Sequence, residues 1–275
     1  MRTTAPSRLT SKVCGRKLIA LSWVTLVSGK ATKSGGEVYT LYVDIIDASL
    51  KYERMLVITA TVSSGGHSAK EIRKYLADSG MLGMGTHVNG FVDLRGDGLA
   101  KTLDFCAEAG FDSVTTPHAI CKTEAEYRQF GRDMSRAAEA AVPYGIKVGI
   151  HTTYDHFRVK FNGVTAWDTI FAEASPLLQQ QVDTSNSFNV IGDGLLPLLR
   201  KCRGRHYSMH LKENVPSATA TLGERPTDGG RCIPWKEVLG YLATEDVAWY
   251  VVEAEAIPDS LEPLAKSLVF LKQLI

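Results

Sequence analysis

Lys147-Val-Gly-Ile-His151, Gln181-Val-Asp183-Thr-Ser-Asn186 and Tyr207-Ser-Met-His210-Leu-Lys212 decide how this chain is read. Each is a short apolar run that ends on a side chain able to ligate a metal: His151, Asp183 and His210. A fourth run, residues 247–253, ends on Glu253. The intervals, roughly 30 to 45 residues, are those of successive strand–helix units. Parallel strands repeating at that interval, each carrying a donor at its C-terminal end, point to an α/β barrel of the (β/α)8 type whose loops converge on one ion.

The flanking sequence supports a barrel. Ser68-Ala-Lys-Glu71 is a capping box that opens a helix closed by Gly80. Residues 82–87 read as a strand, 97–109 as a helix with Gly110 past its end, 113–117 as a strand and 123–142 as a helix. After the strand at 147–151 come a loop through Asn162-Gly163, a helix at 167–174, a strand at 177–183 and a short helix at 195–200. The strand at 206–210 precedes a long, lid-like loop at 213–233. Pro234-Trp235 opens the next helix, where proline is tolerated. Leu261, Leu264, Leu268 and Leu271 mark one stripe of a closing helix at 260–274.

The beginning is atypical. Residues 18–27 form an apolar run too short to span a bilayer; a first barrel strand and an export signal are both compatible with it. Residues 37–48 and 55–60 are β-rich. Residues 1–66 are therefore set apart from a barrel at 67–275, which is expected to be irregular or incomplete at its N-terminus.

A chain of 275 residues, 44% hydrophobic and 22% charged, can bury the core of one such barrel. Its net charge of +1 gives no footprint for nucleic acid or for an anionic membrane. Cys14, Cys106, Cys121, Cys202 and Cys232 are odd in number and lack a CxxC pair, which favours a reducing, cytoplasmic setting over a disulfide framework. Export remains the alternative.

Each metal-capable residue has a plainer reading. A lone strand-end histidine is more often a hydrogen-bonded structural residue, and an aspartate before Thr-Ser is more often a turn or cap residue. Four at four successive strand ends outweigh those readings. Two imidazoles and two carboxylates suit one divalent ion: Mn²⁺, Co²⁺, Zn²⁺ or Mg²⁺.

The sequence also resembles a known family. His210-Leu-Lys-Glu213, Gly223-Glu224, Ile233-Pro-Trp235, Trp249-Tyr-Val-Val-Glu253-Ala-Glu255, and Ser267 with Leu271 are similar to the sugar phosphate isomerase/epimerase family, within the xylose isomerase-like TIM barrel superfamily. Gln181-Val-Asp183, Gly149-Ile-His151 and the Ser68 segment fit the same order. The resemblance implies a metal-dependent enzyme that isomerises or epimerises a sugar, polyol or keto-sugar through an enediolate, with lyase or hydratase chemistry as the alternative.

It matches Asp183, His210 and Glu253 to the family's ligands. His151 stands where many members carry a glutamate, and His156 where some branches place one. Lys212, Glu255 and His156 are the candidates for proton transfer or substrate contact; His87, His118, Asn186 and Glu224 are weaker candidates for the pocket wall. Two rivals stay open: a multi-zinc endonuclease of the same superfamily, disfavoured by charge and ligand number, and a non-catalytic barrel subunit.

Overall fold

A computed structural model describes residues 18–23, 68–78, 82–88, 91–116, 121–214, 221–225, 230–254 and 261–274. The elements, in chain order, are β1 (Leu18–Trp23), α1 (Ala69–Asp78), β2 (Gly85–His87), α2 (Gly96–Ala109), β3 (Ser113–Thr116), α3 (Glu124–Ala140), β4 (Lys147–His151) and α4 (Tyr154–Arg158). There follow β5 (Lys160–Phe161), β6 (Val164–Thr165), α5 (Ala166–Phe171), β7 (Gln179–Asp183), α6 (Thr184–Ile191), α7 (Leu195–Lys201), β8 (Ser208–Leu211), α8 (Trp235–Leu242), β9 (Trp249–Ala254) and α9 (Leu261–Leu274).

Seven strands form one sheet in the order β1-β9-β8-β7-β4-β3-β2, and every pairing is parallel. Parallel neighbours need crossover connections, supplied here by helices between successive strands. The described sheet is the curled wall of a TIM barrel. Its first strand, Leu18–Trp23, pairs with Trp249–Ala254 of the last. The two described edges are β1 and β2, separated in sequence by residues 24–84, which include α1. The strands expected at 37–48 and 55–60 lie outside the described residues.

Local signals set the element ends. Thr123 accepts the Glu126 N–H while the Glu126 carboxylate accepts from the Thr123 N–H, a reciprocal cap that starts α3. Gly110, at φ 86°, ends α2 in the left-handed region. Asn162 and Gly163 take positive φ and fold β5 back on β6, the Asn-Gly chemistry of a tight hairpin. The sequence reading gave this segment only as a loop.

Helix α3 packs along one stripe. Tyr127, Phe130, Met134, Ala137 and Ala138 of α3 are buried at helical spacing. Ile150, Val182, Met209 and Val251 are buried on the sheet. Full burial of each large apolar side chain is worth about 1.5–3 kcal/mol. Among the described residues, no helix is long and apolar enough to cross a membrane.

Candidate metal centre

Four strands deliver the site. The register pairs Asp183 with His210 across β7 and β8, and His151 with Gln181 across β4 and β7. This level placement brings His151, Asp183, His210 and Glu253 together at the strands' C-terminal ends, where TIM-barrel sites form. All four are buried, and one donor atom from each lies within 4.8 Å of the others. His151 Nε2 is 3.3 Å from His210 Nδ1 and 3.7 Å from Asp183 Oδ2, and His210 Nδ1 is 2.8 Å from Glu253 Oε2. Donors held about 2.1 Å from a tetrahedral ion sit about 3.4 Å apart, so the spacing fits.

One unmet polar atom fits as well. Asp183 Oδ2, which faces His151 Nε2, is buried without a hydrogen-bond partner, a condition that normally costs about 1–3 kcal/mol. The quartet's other unmet atoms, His151 Nδ1 and His210 Nε2, are the ring nitrogens opposite those that converge. Without a cation, the Nδ1 of His210 serves both the His151 nitrogen and the Glu253 carboxylate. An ion among the four would replace the proton at that point. The donor set is therefore suited to a divalent metal.

Electrostatics prepare the ligands unequally. Burial, with the neighbouring His210 and His87 rings, drives the His151 pKa well below the usual range, leaving a neutral imidazole. Burial and the Glu253 charge raise Asp183 to about 7 against the opposing pull of Lys212 and His210. Burial also pushes Glu253 upward, but His210, Lys212 and His151 outweigh it and hold that carboxyl well below its normal range. The two acids thus share one buried site with one of them strongly ionised.

Asp183 performs two tasks. Its Oδ1 accepts the Asn186 N–H at 2.7 Å and caps α6, while Oδ2 stays turned to the donors. Thr152 holds its backbone: Oγ1 accepts the Asp183 N–H at 2.8 Å, and the Thr152 carbonyl accepts from Asn186 Nδ2 at 3.1 Å. Asn186 is thereby placed beside the site.

The remaining candidates divide. Lys212 follows β8, its backbone tied on both sides to Thr184 Oγ1 at 2.8 and 2.9 Å, and its charge reaches both carboxylates. His87 stacks on His210 with centroids 5.3 Å apart and planes 10° from parallel, and its Nε2 donates to Gln181 Oε1 at 2.6 Å. His156 is not one of the four converging donors: its Nδ1 accepts the Thr153 N–H at 3.0 Å in the cap of α4, and its ring packs on Trp167. Glu224 lines a different cavity of about 480 Å³, bounded also by Pro263, Lys266 and Phe270. Glu255 and His118 lie outside the described residues.

One organising residue escaped the sequence reading. Glu213 is 3% exposed, and its Oε2 accepts from the Trp235 indole at 2.6 Å and the Gly223 N–H at 2.7 Å. Its Oε1 accepts the Asn214 N–H at 2.9 Å. It anchors the loop beyond β8. The His-Leu-Lys-Glu run held that signal, since a glutamate three residues past a buried histidine is well placed to leave the sheet and gather a loop.

Barrel wall, site position and donor set define a TIM barrel with a candidate metal site at its strand ends. The chain belongs to the xylose isomerase-like TIM barrel family, whose sequence pattern it matches over residues 57–274. A sugar phosphate isomerase/epimerase from Parabacteroides distasonis has the same fold at 15% identity, with 80% of this chain and 85% of that one covered and a TM-score of 0.65. An AP endonuclease, family 2, from Brucella melitensis aligns at 12% identity over 94% and 100% of the two chains, TM-score 0.60. The IOLI protein, solved with a bound zinc atom, aligns at 12% identity over 81% and 88%, TM-score 0.56. No curated protein matches the chain significantly.

Proposed function

We propose that this protein is a divalent-metal-dependent isomerase or epimerase of a sugar or keto-sugar. The observation that carries the reading is the buried quartet His151, Asp183, His210 and Glu253, drawn from four strand ends with Asp183 Oδ2 left without a hydrogen-bond partner among them. The Parabacteroides isomerase/epimerase and the zinc in the IOLI protein support it.

In this reading the four side chains hold the ion, which when bound supplies Lewis-acid polarisation of two vicinal substrate oxygens. The chain's own residues do the rest. His151, neutral at working pH, keeps the site from over-accumulating negative charge. The Lys212 charge, which acts on both carboxylates, would offset the developing charge of an enediolate. A base takes the proton from the carbon between the two oxygens. Lys212, Glu255 and His156 are its candidates, and His156 would first have to leave its cap.

An endonuclease reading draws on the Brucella relative. A net charge of +1 gives little to neutralise phosphates, and among the described residues one four-membered donor set is present.

Mass spectrometry of purified protein tests the proposal. We expect about one transition metal per chain, absent from Asp183→Asn. Metal-free protein that fails to take up zinc or manganese sinks it.

A further inference from the structure

Resting on the metal site of that reading, we infer that Thr152 is its positioning residue: the Thr152 hydroxyl fixes Asp183 in the orientation that meets the ion, and so sets how tightly a divalent cation is held. Thr152 directly follows His151 at the end of β4, the strand paired with β7, and is fully buried.

The backbone ladder runs one step past the end of β4, where the Thr152 N–H donates to the Gln181 carbonyl at 3.0 Å. At the next step a side chain takes over. Thr152 Oγ1 accepts the Asp183 N–H at 2.8 Å, while the Thr152 carbonyl accepts from Asn186 Nδ2 at 3.1 Å. The Asn186 N–H in turn donates to Asp183 Oδ1 at 2.7 Å. These three hydrogen bonds close a ring through Thr152, Asp183 and Asn186. The ring holds the Asp183 main chain from one side and one carboxylate oxygen from the other. The remaining oxygen, Oδ2, is thereby turned toward His151 Nε2, 3.7 Å away, with no hydrogen-bond partner of its own.

The hydroxyl is fully used. A threonine offers one proton and two lone pairs. One lone pair takes the Asp183 N–H, the second takes the Ser187 hydroxyl at 3.3 Å, and the proton is directed at the Asp183 carbonyl, 3.5 Å away. Thr152, Asp183 and Ser187 are each 0% exposed, so bulk water cannot stand in for a lost partner. Valine has the shape of threonine but makes none of these contacts. In its place the Asp183 N–H would be buried unpaired, and the ligand's main chain would have to shift to find an acceptor. Groups that orient a metal ligand in this way are worth roughly 10–100-fold in metal affinity.

Competition between zinc-loaded protein and a chelator tests the inference, each affinity being read well below the unfolding transition of the variant concerned. Thr152→Val should hold zinc roughly 10–100-fold more weakly than the parent, whereas Thr152→Ser, which keeps the hydroxyl, should stay within about threefold of it. Gly131→Ala, which strains the contact between α3 and α5, separates positioning from a general loss of stability and should keep the parent's affinity. Parent-like affinity in the valine variant overturns the inference, as does an equal loss in the serine or the Gly131 variant. If the valine variant does not fold, Asn186→Ala decides the matter. It opens the same ring at the Thr152 carbonyl but keeps the Asn186 N–H, and it should lose at least about threefold; parent-like affinity there overturns the inference. A wild-type protein that binds no zinc overturns the proposed function and this inference together, whereas zinc binding indifferent to Thr152 overturns the inference alone.

Discussion

His151 Nε2 and His210 Nδ1 are 3.3 Å apart although their strands, β4 and β8, are not neighbours: β7 lies between them. Two side chains reach each other across an intervening strand only when the sheet curls. The contact is thus a local signature of barrel curvature, and it places two imidazole nitrogens where one cation can serve both. The metal predictions follow from that geometry.

Ligand binding to the native state alone should stabilise the fold. At a free metal concentration a hundredfold above Kd, the gain is about 2.7 kcal/mol. For a chain of this length that corresponds to a rise in Tm of roughly 5–10 °C. Differential scanning calorimetry with and without zinc or manganese should record it, and a chelator should reverse it. The same scan on His210→Ala should be flat with metal, since that variant loses the donor shared by His151 and Glu253. An unshifted wild-type transition would contradict the assignment.

Removing the loop anchor should have a different signature. Glu213→Ala strands the Trp235 indole and the Gly223 and Asn214 N–H groups in buried or half-buried positions. The expected cost is about 2–4 kcal/mol in urea unfolding. Proteolysis between residues 214 and 233 should quicken before global unfolding. Glu213→Gln, which keeps an acceptor, should recover about half of the loss. Unchanged cleavage in the alanine variant would show that the loop is held elsewhere.

Much of this was legible in sequence because each key strand ends on its donor. The strand at residues 147–151 was placed to the residue, and Asp183, His210 and Glu253 sit at the ends of the strands expected for them. What could not be read was tertiary or ambiguous. Asp183 before Thr-Ser invites the cap reading and the ligand reading, and the structure gives one carboxylate oxygen to each. His156, five positions past His151, reads as a candidate site residue. The spacing Thr153-x-x-His156 is equally that of a reciprocal helix cap, and the ring occupies the cap. The stacking of His87 on His210 depends on barrel closure, which no local pattern encodes. Helix α6 was missed because Thr-Ser-Asn is turn-like until Asp183 caps it.

Gly131 offers a test of packing against propensity. In an exposed helix, Gly→Ala gains about 1 kcal/mol. Here the added methyl would overlap the carbonyl oxygen of Ile170 at the contact between α3 and α5. Backbone cannot rotate aside as a side chain can, so overpacking should win. Gly131→Ala is expected to lose about 1–3 kcal/mol net, read as a lower urea midpoint. A gain in stability would mean the two helices separate freely.

At the opposite end of the strands, Asp112 precedes β3 and accepts from the Trp249 indole at 3.3 Å, while its Oδ1 is buried without a partner. Burial raises its pKa to about 6, against hydrogen bonds from Tyr207 and Trp249 that pull it down. The native state therefore holds a proton that the unfolded chain releases near pH 4. Between pH 4 and 6 this site makes stability fall as pH rises, and above 6 the loss is complete. The full linkage would be about 3 kcal/mol; partial solvent access reduces it to about 1–2 kcal/mol. Asp112→Asn keeps an acceptor for both donors but has no proton to lose. Relative to the parent, it should gain about 1–2 kcal/mol at pH 7 and nothing at pH 4, measured by urea unfolding at both. A difference that is constant with pH, or largest at pH 4, would mean that Asp112 is already ionised in the folded protein across this range.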